Sequence, residues 1–263
     1  MDRKKTYFVS DFHLGVDAKL TSREREQKIV TWISSIQDEM AALYLVGDVF
    51  DHWFEYGTVI PKGFSRILGK LAELRDQNIP VYFFTGNHDM WMFNYLKDEM
   101  NIPIYRSPRE ITVGGKRILV GHGDGLGPGD LKYKFIKSIF SNKFCQWAFA
   151  RLHPNFGIWL MKKYSRISRN SKSDDNIFLG PENEWLVSFC EEKLKENHYD
   201  YFVFGHRHLP IFYALSNQKS TYINLGDWLY YESFLVIDDE NAILRTTEDS
   251  SPIKTIWPNP TQN

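Results

Sequence analysis

The stretch Tyr7-Phe8-Val9-Ser10-Asp11-Phe12-His13 shows the pattern on which the whole chain is built. Its first three residues are apolar and favour extended backbone, which predicts a short buried strand, and the polar pair Asp11 and His13 follows at once. Six runs of this kind predict strands: Tyr7-Phe8-Val9, Leu43-Tyr44-Leu45-Val46, Val81-Tyr82-Phe83-Phe84, Ile118-Leu119-Val120, Tyr201-Phe202-Val203-Phe204 and Tyr222-Ile223-Asn224-Leu225.

Helical patterns lie between these strands. Apolar residues at helical spacing predict helices over residues 23–40, 64–76 and 182–197. Strands that alternate with helices predict an α/β fold, and the strand-like character of residues 221–246 predicts a partly antiparallel or mixed sheet. The 263 residues carry a formal net charge of -1, so bulk charge indicates neither a nucleic-acid-binding nor a membrane-binding protein. The chain has no run of about 18 apolar residues that would predict a membrane span.

Polar motifs directly follow five of the predicted strands. They are Asp11-Phe12-His13, Gly47-Asp48-Val49-Phe50-Asp51, Gly86-Asn87-His88-Asp89, Gly121-His122-Gly123-Asp124 and Gly205-His206-Arg207-His208. Each motif alone has an ordinary interpretation, as a turn or as a core histidine. Five in order, each at a strand end, predict convergence on one site, because ligands of open α/β sheets bind beyond the carboxyl ends of strands.

The residue types in these motifs suit divalent metal ions. Imidazole and carboxylate ligands favour manganese, iron, zinc or cobalt. One carboxylate can bridge two ions, and two ions about 3.5–4 Å apart can clamp a phosphate and activate a water. The sequence therefore predicts a metal centre that acts on phosphoesters. His52, His153 and His198 follow no strand-end motif and are not predicted as ligands.

The ordered set of motifs resembles the calcineurin-like metallophosphoesterase superfamily, from about Thr6 to about Phe234. The resemblance implies a four-layer α/β/β/α sandwich with a helical insertion. It implies a single domain over residues 1–263, in which residues 125–181 form a helical cap insertion. It also implies a dinuclear metal centre.

The resemblance assigns seven metal ligands, with Asp48 shared between the two ions. The other six follow, three for the first ion and three for the second: Asp11, His13 and His208; Asn87, His122 and His206. It makes Asp48 and His88 catalytic, with His88 stabilising the transition state or protonating the leaving group. Asp51 and Asp89 are predicted to orient imidazoles or to cap a turn.

A basic segment runs from Leu131 to Ser173. It contains ten basic residues and no acidic residue, whereas the whole chain has 32 basic and 33 acidic residues, so the remainder has 22 and 33. Apolar residues recur at three- and four-residue spacing from Phe135 to Ala148, which predicts an amphipathic helix. A second, short helix is predicted around Phe156 to Met161.

Three interpretations of this segment remain open. It can be a cap that packs on the core with solvated lysines. It can be a basic amphipathic surface that sits on an anionic bilayer or cradles an acylated anionic substrate. It can also be a nucleic-acid groove, although its apolar content is high for a surface that tracks phosphates.

The whole arrangement is similar to the UDP-2,3-diacylglucosamine diphosphatase family of lipid A biosynthesis. The matching features are the phosphoesterase motifs, the basic insertion after GHGD, the stretch from Arg166 to Ser173, and Asn224-Leu225-Gly226-Asp227-Trp228. The resemblance implies hydrolysis of the pyrophosphate bond of UDP-2,3-diacylglucosamine to UMP and 2,3-diacylglucosamine 1-phosphate. It also implies substrate contacts at Asn87, His88, Asp130, Arg166, Arg169, Asn170, Lys172 and His206.

The same resemblance implies two Mn²⁺ ions and a cytoplasmic enzyme that associates peripherally with the inner membrane of a Gram-negative bacterium. Its partners would be an acylated sugar nucleotide and an anionic membrane surface, with no nucleic acid. One position departs from the family, because its best-known members carry Arg where this chain has His88. The alternatives are a soluble metallophosphoesterase for another nucleotide or phosphodiester, and a scaffold without activity. The complete ligand set argues against the scaffold.

Overall fold

Two β-sheets form the centre of the molecule. The computed structural model describes residues 3–127, 131–170 and 177–255. The strands are β1 (Lys5–Val9), β2 (Met40–Val46), β3 (Val81–Phe84), β4 (Ile104–Tyr105), β5 (Arg109–Val113), β6 (Lys116–Val120), β7 (Tyr201–Phe204), β8 (Pro210–Ala214), β9 (Thr221–Leu225), β10 (Ser233–Ile237) and β11 (Ala242–Thr246). The helices are α1 (Ser22–Ile36), α2 (Ser65–Asp76), α3 (Tyr95–Met100), α4 (Leu131–Ser141), α5 (Lys143–Phe149), α6 (Pro154–Asn170) and α7 (Trp185–Leu194).

The order of the strands places the predicted strand ends together. The first sheet has the order β11-β10-β1-β2-β3-β4 and the second has the order β5-β6-β7-β9-β8. Strands β1 to β4 run parallel, as do β6, β7 and β9, while the remaining pairs are antiparallel. All six predicted strands are confirmed, and so is the mixed character of the sheets.

Side-chain alternation along the strands produces four layers. In β1, Tyr7 and Val9 pack with the buried faces of α1 and α2, whereas Phe8 packs in the cluster between the two sheets. On the far side, Phe202 of β7 packs against Leu186 of α7. Successive strand residues point to opposite faces, so each sheet covers two cores. The order is helix, sheet, sheet, helix, as predicted.

Helix α1 illustrates how the sequence sets its own boundaries. Thr21 accepts a hydrogen bond from the backbone N–H of Glu24, and the Glu24 carboxylate accepts one from the N–H of Thr21. This reciprocal cap fixes the start of the helix. The predicted extension to residue 40 is wrong, because Met40 is buried as the first residue of β2.

The three helices α4, α5 and α6 lie within the predicted insertion. The prediction of a short second helix is wrong, since α6 has 17 residues. The assignment of residues 125–181 as a cap within a single domain stays a prediction. Strands β4, β5 and β8 and helix α3 were not predicted, since they are short or half-exposed. Among the described residues, no helix is long and apolar enough to cross a bilayer.

Candidate metal centre

Five loops meet at the carboxyl ends of β1, β2, β3, β6 and β7. Five predicted ligands in these loops have left-handed backbone conformations, with φ between 45° and 67°: Asp11, His13, Asp48, His206 and His208. Non-glycine residues rarely adopt this conformation, at a cost of about 1 kcal/mol or more each, and such residues cluster at functional sites. The glycines before Asp48 and Asn87 permit the close approach of the loops, because a Cβ on Gly47 would overlap His122 and one on Gly86 would overlap Asp48.

The first group of converging side chains joins the two sheets. Asp11 and His13 follow β1, and His208 comes from the loop after β7. The Nε2 atom of His208 lies 3.2 Å from Oδ1 of Asp11, and Nε2 of His13 lies 3.6 Å from the same oxygen. The other oxygen of Asp11 accepts a hydrogen bond from the backbone N–H of His206 at 3.0 Å. The structure therefore brings together the three residues predicted for the first ion.

The second group consists of Asp48, His122 and His206. Nε2 of His122 lies 3.3 Å from Oδ2 of Asp48, and the same oxygen lies 3.7 Å from Nε2 of His13 in the first group. Asp48 thus lies between the two groups, where a bridging carboxylate is expected. Asn87, the remaining predicted ligand, presents a buried Oδ1 that has no hydrogen-bond partner.

The proton positions on the imidazoles show that this cluster fits metal ions. Nδ1 of His13 lies 3.3 Å from Asp51 Oδ1, and Nδ1 of His208 lies 3.2 Å from Asp227 Oδ2. Because a carboxylate only accepts, each Nδ1 carries a proton, so loss of any second proton leaves the lone pair of each ring at Nε2. These two Nε2 atoms lie 3.2 Å apart, so their lone pairs repel unless a proton or a metal ion lies between them.

The second group leads to the same conclusion. Nδ1 of His122 donates to the carbonyl of Val46 at 2.9 Å, which leaves its Nε2 facing Asp48 at 3.3 Å. Nε2 of His122 and Oδ1 of Asp11 are both buried and lack a hydrogen-bond partner. Buried polar atoms are ordinarily paired, so these atoms are positioned to ligate a cation.

The electrostatics favour positive charge at this place. Burial lowers the pKa of His13, but hydrogen bonds with Asp11 and Asp51 outweigh it and raise the pKa to about 10. Burial also lowers the pKa of His122, and the charge of Asp48 raises it to about 10. Burial would raise the pKa of Asp48, but the surrounding histidines hold it well below its usual range. The carboxylates therefore stabilise a cation at this site.

A model of the calcineurin-like phosphoesterase family matches residues 4–210. The chain belongs to the calcineurin-like phosphoesterase family. It is similar to a UDP-2,3-diacylglucosamine hydrolase of Porphyromonas gingivalis, with 36% identity over 260 residues that cover 94% of this chain and 99% of the relative. It is also similar to a UDP-2,3-diacylglucosamine hydrolase of Vibrio atlanticus, with 27% identity over 251 residues that cover 94% and 99%.

Among solved structures, the chain is similar to Yfce, a phosphoesterase from E. coli, with a TM-score of 0.49 and 16% identity over 95% of this chain and 96% of that one. The family match confirms the predicted superfamily and the predicted phosphoester hydrolase. The family and the donor atoms together fit a metal centre in this phosphoesterase.

Two aspartates support the phosphoesterase site without being predicted ligands. Asp51 contacts Nδ1 of His13, on the opposite side of the ring from Asp11. Asp89 accepts from the N–H of Gly86 at 2.7 Å and from the N–H of Val49 at 2.9 Å, which ties two of the loops together. The geometry therefore agrees with the predicted orienting role of Asp51 and capping role of Asp89.

Asp227 is a supporting residue whose role the sequence did not reveal. It follows β9 and accepts at Oδ2 from Nδ1 of His208. Its other oxygen accepts from the N–H of Tyr230 at 2.9 Å. The available signal was its position at the end of a strand that runs parallel to β7, the same position that the predicted ligands occupy.

His88 lies beside the metal-binding groups. Its backbone N–H donates to Asp48 Oδ1 at 2.8 Å, and its Nδ1 lies 3.0 Å from the carbonyl of Asp51. Nδ1 is therefore the protonated nitrogen, and Nε2 is left for a ligand. Burial lowers the pKa of this imidazole, and the charge of Asp48 opposes that shift.

Polar contacts attach the helices α4 and α6 to the site. Lys137 of α4 forms an ion pair with Asp124 of the GHGD loop, with 2.5 Å between Nζ and Oδ2. Ser165 of α6 donates from Oγ to Asp51 Oδ2 at 2.9 Å. The indole N–H of Trp91 donates to the carbonyl of Phe140 at 2.7 Å. Sequence reasoning missed these contacts, since it treated the lysines as a solvated or partner-binding set.

The predicted substrate contacts fall into two classes. Asn87, His88 and His206 lie at the metal centre. Asp130 and Lys172 lie outside the described residues, and Arg166, Arg169 and Asn170 belong to the last part of α6, where only the backbone is described. Their roles stay predictions.

Proposed function

We propose that this phosphoesterase hydrolyses the pyrophosphate bond of UDP-2,3-diacylglucosamine, releasing UMP and 2,3-diacylglucosamine 1-phosphate in lipid A biosynthesis. The observation that carries this proposal is an apolar cavity that opens directly beside Asn87 and His88. The names of the relatives from Porphyromonas gingivalis and Vibrio atlanticus support the same substrate.

The cavity has a volume of about 270 Å³ and joins two chemical environments. One wall contains the polar residues Asp51, Asn87 and His88. The opposite wall consists of apolar and aromatic residues from α4, α5 and α6: Phe140, Phe149, Leu160, Met161 and Tyr164. A substrate that carries a phosphate next to an acyl chain matches both walls, whereas a small polar phosphoester would leave the apolar wall without a partner.

We assign metal binding to the seven predicted ligands, which would hold two Mn²⁺ ions, with Asp48 available to both. Such ions, when bound, polarise phosphoryl oxygens and lower the pKa of water. Asp51 and Asp227 hold the imidazoles of His13 and His208 with Nε2 towards the ions, and Asp89 fixes the loops that carry Asp48 and Asn87.

His88 acts on the substrate itself in this proposal. Its Nδ1–H is held by the carbonyl of Asp51, so Nε2 is the atom that meets a phosphate oxygen. The negative charge of a bound pyrophosphate favours the protonated imidazole, which then donates from Nε2 to that oxygen or to the leaving group. Asn87 and His206 complete the contacts at the phosphate end, and Asp130, Arg166, Arg169, Asn170 and Lys172 provide contacts to the sugar nucleotide.

We further assign residues 125–181 as the cap and the inner membrane, on its cytoplasmic side, as the place of action. Eight of the twelve exposed large apolar side chains among the described residues lie between Phe135 and Tyr164. In the same part of the chain, Lys143, Arg151, Lys162 and Lys163 have no acidic partner among the described residues. Exposed apolar area next to unpaired positive charge is the signature of a surface that sits on anionic lipid.

A comparison of substrates tests the function. The protein is freed of metal with a chelator, Mn²⁺ is added back, and UMP release is measured from UDP-2,3-diacylglucosamine and from a UDP-sugar without acyl chains. We expect Mn²⁺-dependent UMP release from the acylated substrate and far less from the other. A protein that releases no UMP but cleaves simple phosphodiesters well would be a phosphoesterase for another nucleotide or phosphodiester, and the proposal would be wrong.

A further inference from the structure

A second cavity lies on the other side of α6 from the apolar one. It is a groove of about 480 Å³ between the segment at residues 61–64 and the first half of α6. Lys62 lines one side, and Trp159 and Lys162 line the other. The polar side chains of Ser22 and Asn155 also face the groove, and no acidic residue lines it.

The two lysines of the groove are uncompensated. Neither Lys62 nor Lys162 has a hydrogen-bond or ion-pair partner anywhere in residues 3–127, 131–170 and 177–255. By contrast, Lys137 of the same basic segment is paired with Asp124. Two ammonium groups that come from different parts of the chain and line one groove without a carboxylate produce a positive potential that favours an anion.

The two segments that form the groove carry exposed apolar side chains. Phe156 and Trp159 of α6 stack on each other with ring centroids 5.6 Å apart, yet they are 50% and 53% exposed. Val59, two residues before the groove residue Pro61, is 48% exposed. A partner that covers this surface must therefore offer negative charge in the middle and apolar material around it.

We propose that the groove binds the phosphate headgroup of an anionic phospholipid and thereby seats α6 on the membrane surface. A phosphate between Lys62 and Lys162 satisfies the two charges, and acyl chains or interfacial groups cover Val59, Phe156 and Trp159. A nucleic acid would satisfy the charges, but its hydrated backbone would leave the aliphatic Val59 uncovered.

This headgroup site determines how the protein is oriented on the membrane surface. Lys162 and Trp159 of α6 line the groove, whereas Met161 and Tyr164 of the same helix line the apolar cavity beside His88. A lipid phosphate held on one side of α6 therefore places the cavity on the other side at the bilayer surface, where an acylated substrate enters. The proposal rests on the proposed function, since it is there that the substrate is a lipid.

Vesicle binding by matched charge variants tests the site. Flotation is measured with vesicles of phosphatidylcholine alone and of phosphatidylcholine mixed with phosphatidylglycerol. The variant Lys62→Gln/Lys162→Gln is compared with Lys143→Gln/Arg151→Gln, which removes the same charge from residues of the basic segment that do not line the groove. Each lysine near an anionic surface contributes about fivefold, so we expect a loss of roughly thirtyfold in binding to the anionic vesicles for the groove variant. We expect a clearly smaller loss for the control and unchanged binding to phosphatidylcholine.

Four outcomes overturn the headgroup site. Equal losses in both variants mean diffuse attraction, and no loss in the groove variant means that the lysines are solvated. Binding of a short single-stranded oligonucleotide that depends on Lys62 and Lys162, without vesicle binding, identifies a different partner. UMP release from substrate in detergent micelles is measured in parallel and should be unchanged in the groove variant. If UMP release in micelles falls as much as vesicle binding does, the groove binds the substrate instead. If the unmodified protein releases no UMP, the proposed function is overturned, and the vesicle result stands by itself.

Discussion

The metal centre and the helices α4 to α6 differ in how deeply their side chains are buried and in how those side chains are held. The centre consists of buried side chains, and the polar atom of each that does not face the site bonds to a backbone or carboxylate group. Asp11, for example, accepts a hydrogen bond from the backbone N–H of His206, which links the two sheets. The three helices present stacked aromatic pairs and unpaired lysines to the outside, and few polar contacts attach them to the loops. In the proposed function, the buried side chains of the centre supply the catalytic geometry, and the three helices recognise the lipid.

Both regions contain groups that lack a partner within the protein, but the kind of partner that each region requires differs. The centre holds buried nitrogen and oxygen atoms without partners and five strained backbone positions, which a cation stabilises. The helices expose apolar area, which burial against lipid stabilises. Variants in the metal centre should therefore change the hydrolysis of any phosphoester. Variants in the helices should change only the hydrolysis of an acylated substrate.

Asp48→Asn should have the largest effect, since it removes the charge that lies between the two groups of ligands. Loss of several kcal/mol of charge stabilisation corresponds to a fall of roughly 10³-fold or more in turnover. The amide oxygen can still accept from the N–H of His88, so the fold should persist. Turnover of the acylated substrate and of a simple diester, together with thermal unfolding, is the measurement. Turnover within tenfold of the unmodified protein would rule out Asp48 as the bridge.

Asp227→Asn should have an intermediate effect on both substrates. It weakens the acceptor that orients His208, and removal of such supporting carboxylates costs about 10- to 100-fold in metal affinity or activity. Titration of Mn²⁺ against UMP release measures it. Added Mn²⁺ should restore part of the activity, which would not happen if the variant were simply misfolded.

Gly157→Ala should affect the helices α4 to α6 but leave the metal centre unchanged. A Cβ at this position of α6 would overlap the hydroxyl of Tyr56 and crowd Phe149, so the Tyr56 side chain or the helix must shift. Overpacking costs about 1–3 kcal/mol, and we expect a fall of about tenfold with the acylated substrate but little change with a simple diester. Gly69→Ala in α2 is the matched control, because an added Cβ there meets nothing within 4 Å. Equal losses on both substrates would show that α6 shapes the metal centre as well.

Ser165→Ala should have the smallest effect and tests how the regions are coupled. The substitution removes the hydrogen bond from α6 to Asp51, at a cost of about 1 kcal/mol or more. We expect activity to fall a few-fold and Mn²⁺ affinity to fall with it, since Asp51 orients His13. Ser34→Ala, which removes a hydroxyl from the exposed face of α1, should change neither quantity. Unaltered Mn²⁺ affinity in Ser165→Ala would mean that α6 and the centre act independently.

Many of the strands and ligand positions could be predicted because the sequence patterns that mark them are local. Apolar runs such as Val81–Phe84 formed strands, and the polar residues placed directly after them reached the site. Parallel neighbours bring their carboxyl ends to one edge, so position after a strand was enough to gather Asp11, Asp48 and His122. The length of α6 was not predicted, because its apolar residues face a cavity and the solvent as well as the core, which blurs the helical pattern.

The sequence by itself determined which donor atoms stand at the strand ends and that one segment carries unbalanced positive charge. Only the tertiary structure decided which nitrogen of each imidazole remains available, because that depends on partners such as Asp227 on a different strand from His208. It also decided that Lys137 is paired while Lys62 and Lys162 share a groove, and that Ser165 reaches Asp51. These contacts join residues that are distant in the chain, and only the packing of the sheets and helices brings them within hydrogen-bonding or electrostatic range.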